Sequence, residues 1–140
     1  MRVPVPSRRN LFLCALSFLW FAHPSAASET GDPVRGEKVF RKCKACHSVG
    51  ADAAVKTGPV LNGMVGGAAA AQPDFSYSKA LREVADRDQL VWTVDNLDIF
   101  PTKPKEFLPG TKMSFAGLRK EKDRQDIVAF LATFEEEGGN

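Results

Sequence analysis

Residues 41–50 read RKCKACHSVG, so two of the chain's three cysteines and one of its two histidines fall within five positions. Thiols and an imidazole at that spacing suit three kinds of chemistry: dithiol–disulfide exchange, metal coordination, or covalent attachment of a flat prosthetic group through both sulfurs. A redox dithiol opens a helix that follows a strand, and nothing in residues 28–42 has a strand's alternating pattern. A zinc site needs four ligands, and beyond residue 27 no cysteine or histidine exists besides Cys43, Cys46 and His47. The reading left is C-x-x-C-H haem attachment. In it the thiols of Cys43 and Cys46 add to the haem vinyl groups and His47 ligates iron from one face.

Asp32 followed by Pro33 is a helix start, because the carboxylate can cap free N–H groups and proline has φ already set. From there Val39, Phe40, Cys43, Cys46 and His47 recur at three- and four-residue spacing, which predicts one helix carrying Cys43 and His47 on a shared face. With His23 in the first 27 residues, His47 is the only histidine of the remainder, so bis-histidine ligation within one molecule is ruled out. Methionine, lysine, water or an open position is left for the sixth site. Met64, among the glycines of LNGMVGG, reads as a core filler. Met113, in FLPGTKMSFAGL, follows a turn expected at Pro109 and Gly110, far enough along the chain to wrap to the opposite haem face.

The first 27 residues differ from the rest. Arg2, Arg8 and Arg9 precede the apolar run Leu11 to Ala22, and small residues follow, the order of a secretory signal peptide with cleavage after Ala27. The run is well short of the ~20 residues that span a bilayer. SRRNLFL also resembles a twin-arginine export signal, and Cys14, preceded by bulky Leu13, leaves with the signal. Residues 28–140 are then one exported, periplasmic domain. The chain's 44% hydrophobic, 26% charged and 9% aromatic residues suit a single small core. Cleavage removes three of the 19 Lys and Arg and none of the 17 Asp and Glu, turning a formal charge of +2 into −1. That balance gives no support for nucleic acid as a partner, and no membrane span is expected after cleavage. Lysines crowd residues 41–56 and 103–122, whereas FEEEGGN ends the chain.

In order, GDPVRGEKVFRKCKACH, KTGPVLNGMVG, FSYSKAL, VW, PTKPKEFLPGTKMSFAGL and RQDIVAFLATF resemble class I cytochrome c of the mitochondrial and alphaproteobacterial type, across residues 28–140. The resemblance implies an all-α fold, with helices and loops wrapped around one haem c held by two thioethers. It implies N- and C-terminal helices crossing in close contact, Gly36 permitting the approach and Phe130 filling the crossing. It assigns His47 and Met113 as iron ligands, Pro59 as carbonyl acceptor for the His47 ring, and Tyr77, Trp92 and Thr111 as donors to a haem propionate. The implied role is that of a monomeric one-electron carrier, not an enzyme. Its partners would be redox proteins with an acidic docking face: an oxidase, a bc1-type complex, a photosynthetic reaction centre or a dehydrogenase. Lys42, Lys44, Lys56, Lys105 and Lys112 are expected around the exposed haem edge. A five-coordinate haem peroxidase or gas sensor, or a subunit held permanently in a respiratory complex, are the competing roles.

The sequence also departs from that pattern. Phe100 stands where a tyrosine near the axial sulfur is usual, and Gly67 where an arginine often faces a propionate. Pro101 is expected to shorten or kink the helix opening at Thr93, and LREVADRDQL lengthens the stretch between Tyr77 and Trp92.

Overall fold

A computed structural model of the chain describes residues 31–134. The expected signal segment and the glutamates at 135–137 lie outside them. The described part is helical: α1 Pro33–Phe40, α2 Lys79–Asp88, α3 Val94–Ile99, α4 Pro104–Phe107 and α5 Glu121–Leu131. An isolated antiparallel bridge joins Ala68 and Val91.

Helix α1 begins as its sequence dictates. Asp32 is extended, and its carboxylate accepts the free N–H groups of Val34 at 2.8 Å and Arg35 at 3.2 Å, with Pro33 at the first helical position. It packs across α5. A Cβ added at Gly36 would stand 2.0 Å from the Asp126 carbonyl oxygen and 2.6 Å from Phe130 Cβ, so the two helices meet nearly backbone to backbone. Phe40, 1% exposed, brings its ring to 5.3 Å from that of Phe130. At the same crossing Asp126, 2% exposed, accepts from the Asp32 N–H at 2.7 Å and from Arg35 Nε at 2.8 Å and Nη2 at 3.0 Å. The Arg35 hydrogen bonds hold the Asp126 carboxyl below its ordinary value. This charged staple had no signal in the sequence, since its partners lie on opposite ends of the chain.

Pro101 acts as expected. Helix α3, capped by Thr93 Oγ1 accepting from Asn96 N–H at 3.1 Å, stops at Ile99, and the chain tightens into a 3₁₀ turn over Phe100–Thr102. Pro101 has no N–H for the helix ladder, but its carbonyl accepts the Leu118 N–H at 2.8 Å and ties the later loop to α3. The lengthened stretch forms most of α2, capped by Ser78 and closed by Gln89 in the left-handed region. The core draws on every part of this shell: Phe40 from α1, Leu81 from α2, Leu97 from α3, Ile127 and Leu131 from α5, and Trp92, Leu108 and Leu118 from the connections.

Candidate haem-binding site

The expected single helix through His47 is not what forms. Helix α1 ends at Phe40, and the chain continues in tight turns, Cys43 N–H bonding Phe40 O at 2.8 Å and Cys46 N–H bonding Cys43 O at 3.0 Å. Bonds of that three-residue type wind the chain more tightly than an α-helix and eclipse side chains three apart, which is the spacing of the two cysteines. An α-type bond from His47 N–H to Cys43 O, 2.9 Å, comes next. Spacing alone could not separate the two windings, because three- and four-residue recurrence satisfies both.

Neither cysteine is in a disulfide; Cys43 is half-buried and Cys46 exposed. Burial pushes the Cys43 thiol up to about 11. A thioether has no proton to lose, so the same surroundings carry no such penalty for a bonded sulfur. His47 Nδ1 lies 2.8 Å from the Pro59 carbonyl oxygen, which can only accept, so Nδ1 carries the proton and Nε2 is left as the unprotonated ring nitrogen. Burial lowers the His47 pKa, outweighing the opposing Pro59 hydrogen bond, and nearby Lys56 lowers it further. The ring is therefore neutral at pH 7 and able to bind a metal.

Residues 56–61 build that setting. Gly58 N–H bonds Cys46 O at 2.8 Å and Leu61 N–H bonds Ser48 O at 3.0 Å, lacing the segment to the motif. A Cβ at Gly58 would stand 2.4 Å from His47 Cε1, so only glycine lets the backbone lie flush on the ring. Lys56 Nζ donates to the carbonyl oxygens of Lys44 at 3.0 Å and His47 at 3.4 Å. Sequence reasoning assigned neither Gly58 nor Lys56 a part in holding the histidine.

Met113 follows a turn of the expected kind: Thr111 N–H bonds Leu108 O at 3.0 Å across Pro109 and Gly110, with Gly110 at φ 90°. Thr111 Oγ1 accepts the Met113 N–H at 3.2 Å, and Lys112 Nζ donates to Ser76 O at 2.7 Å, tying the loop to the segment before Tyr77. Met113 is half-buried, and Met64 packs against the core, matching a filler role. Trp92 is 5% exposed, and its indole N–H has no acceptor among the described residues. Tyr77 is buried too; burial raises its phenol pKa, and a backbone hydrogen bond with Gln72 offsets part of that rise. Phe100 completes an aromatic stack, 5.0 Å from Trp92 and 5.5 Å from Phe107. At Gly67 a Cβ would meet Gly63 O at 2.3 Å, so this backbone leaves no room for an arginine there.

Two reduced thiols, a neutral imidazole with its outer nitrogen free and a tryptophan indole N–H with no acceptor among the described residues fit a haem. Among the described residues no three or more His, Cys, Asp or Glu side chains are grouped to hold a bare metal ion. The lysines expected at the haem edge divide: Lys42 pairs with Asp123 at 2.9 Å, and Lys56 and Lys112 are committed to backbone carbonyls. Lys44 and Lys105 are exposed, with no side-chain partner among the described residues.

Comparison with known proteins points the same way. The cytochrome c family model matches residues 33–135. A cytochrome c2 of Rhodomicrobium vannielii is 45% identical over 124 residues, covering 89% of this chain and 94% of that protein. Among solved structures, cytochrome c2 of Rhodospirillum centenum superposes with a TM-score of 0.71 at 37% identity, covering 76% of this chain and 100% of that one. Cytochrome cH of Methylobacterium extorquens gives 0.66 at 38% identity, covering 74% and 99%.

Proposed function

The chain belongs to the cytochrome c family, and from that premise we propose that it is a monomeric periplasmic one-electron carrier in which His47 and Met113 hold the haem iron. The coarser part is established: this is a cytochrome c2-type electron carrier, not an enzyme, with one haem c attached through Cys43 and Cys46. When bound, haem c supplies a one-electron ferric–ferrous couple. The polypeptide's tasks are attachment, ligation and exclusion of water. His47, oriented by Pro59, and Met113, its backbone tied to Thr111, would hold the haem iron and leave it no position for a substrate. Trp92, Tyr77 and Thr111 would donate to a propionate, which is costly to bury unpaired.

The observation that supports this reading is the 2.8 Å contact of His47 Nδ1 with Pro59 O beside two free thiols, which leaves Nε2 unprotonated and available to a metal. Export by residues 1–27 would place the protein in the periplasm. Lys44 and Lys105, exposed and without a side-chain partner among the described residues, support docking to an acidic face of an oxidase, bc1-type complex, reaction centre or dehydrogenase. No helix among the described residues is long and apolar enough to cross a membrane.

Optical redox titration of the purified holoprotein tests the proposal. A reversible one-electron transition is expected, together with a far-red methionine-to-ferric-iron band that Met113→Ala abolishes. Loss of the band in Met64→Ala but not Met113→Ala would move the ligand to Met64. A high-spin resting spectrum with ready cyanide binding would favour the five-coordinate peroxidase or gas sensor instead.

A further inference from the structure

We propose that Lys56 is a positioning residue for His47; the inference rests on His47 ligating iron. A lysine on a small protein reads as solvated charge, and Lys56 is exposed, but its ammonium folds back onto the backbone of the motif. Its ammonium donates to Lys44 O at 3.0 Å and to His47 O at 3.4 Å, using two of its three donors on the polypeptide. Among the described residues no other donor reaches either oxygen. Both carbonyls stand at the C-terminal end of the motif's turns, where backbone oxygens lack ladder partners and a cation complements the peptide dipoles.

The contact matters because Lys56 leads directly into the segment that holds the ring. Its own N–H bonds Gly58 O at 3.1 Å, Gly58 N–H bonds Cys46 O at 2.8 Å, and Pro59 O takes Nδ1 of His47 at 2.8 Å. Lys56 thus closes the upstream end of the lacing whose downstream end orients the imidazole. The Gly58 backbone lies flush on the ring, with only 2.4 Å between His47 Cε1 and the place of a Cβ, so a shift of this segment is felt by the ring at once. Removing the ammonium leaves two exposed carbonyls to water, breaks the link between residue 56 and the motif, and frees the segment to move away from it. The consequence is local: a His47 N–H that opens more often.

The experiment measures solvent exchange of the His47 Nδ1 proton by nitrogen-15 NMR in the reduced holoprotein at fixed pH. Lys56→Met keeps the length and loses the donors, and exchange should quicken by about tenfold, which corresponds to about 1.4 kcal/mol of lost protection. Lys56→Arg, which restores donors, should return the rate to within about threefold of the unaltered protein. Lys44→Met removes the same charge at a neighbouring position without touching the carbonyl contacts and should leave exchange unchanged. Equal exchange in Lys56→Met and the unaltered protein overturns the inference, as does equal acceleration by Lys44→Met, which would assign the effect to charge. If the unaltered protein's His47 ring shows no haem-induced displacement of its resonances, the ligand reading itself has failed, whatever the variants do.

Discussion

Replacing Gly36 by alanine should separate α1 from α5 without touching the haem ligands. The new Cβ would begin 2.0 Å from Asp126 O, and ordinary contact starts near 3.4 Å, so the helices must part by roughly 1.4 Å. A movement of that size carries Arg35 Nε, now 2.8 Å from Asp126, out of hydrogen-bonding range and loosens the Phe40–Phe130 contact. Overpacking costs about 1–3 kcal/mol, and loss of a hydrogen bond to a charged group about 1.5–3 kcal/mol. Against these, alanine gains about 1 kcal/mol over glycine in helix propensity. The net destabilisation is about 3 kcal/mol, which for a domain of this size lowers Tm by roughly 12–24 °C. Thermal unfolding of the holoprotein followed by far-ultraviolet circular dichroism reads the shift, and the optical spectrum at 25 °C should be unchanged. A Tm within about 2 °C of the original, or above it, would refute backbone-to-backbone contact at Gly36.

Three more outcomes are expected. Asp126 has a folded pKa below its unfolded value of about 3.9, so its contribution is complete above that value and lost as pH falls through the folded one. Asp126→Asn should therefore cost about 1–3 kcal/mol at neutral pH and flatten the acid limb of the stability curve, and an unaltered acid limb in urea titrations would contradict this. Gln89 closes α2 at φ 48°, where a side chain is strained, so Gln89→Gly should stabilise by up to about 1 kcal/mol in chemical denaturation; a loss of stability would count against that strain. Changing Lys44 and Lys105 to glutamate should slow electron transfer with an acidic partner at low salt, where the Debye length is ~30 Å, and much less at 0.1 M, where it is ~10 Å. The haem spectrum should hold, and Lys122→Glu should matter less; equal loss from all three in stopped-flow traces would reject docking through Lys44 and Lys105.

The residues that carry out chemistry were legible in the sequence because their information is local. Cys43, Cys46 and His47 name their cofactor through identity and spacing. Asp32–Pro33, Thr93 and Pro109–Gly110 set caps and turns whose donors and acceptors lie within a few residues of each other. Pro101 ended α3 for the same reason, by lacking one N–H. The all-α shell and the α1–α5 crossing came instead from the family resemblance, and the helices formed accordingly.

Tertiary structure alone decided which groups meet across long stretches of chain. Asp126 looks like any helix-surface carboxylate until α1 crosses it and brings Arg35 and the Asp32 N–H to its oxygens. Gly67 looks permissive until Gly63 O is found 2.3 Å from its missing Cβ. Lys56 is the plainest case, a charge in the sequence and a double donor to backbone carbonyls in the fold. Helix winding belongs here too, since α1 could have run through His47 on spacing alone and stops at Phe40. Caps and turns depend on dihedral angles and partners one turn away, which residue identity controls directly. A buried acceptor or a committed ammonium depends on where distant backbone comes to rest, and that is fixed only when the whole chain closes on its core.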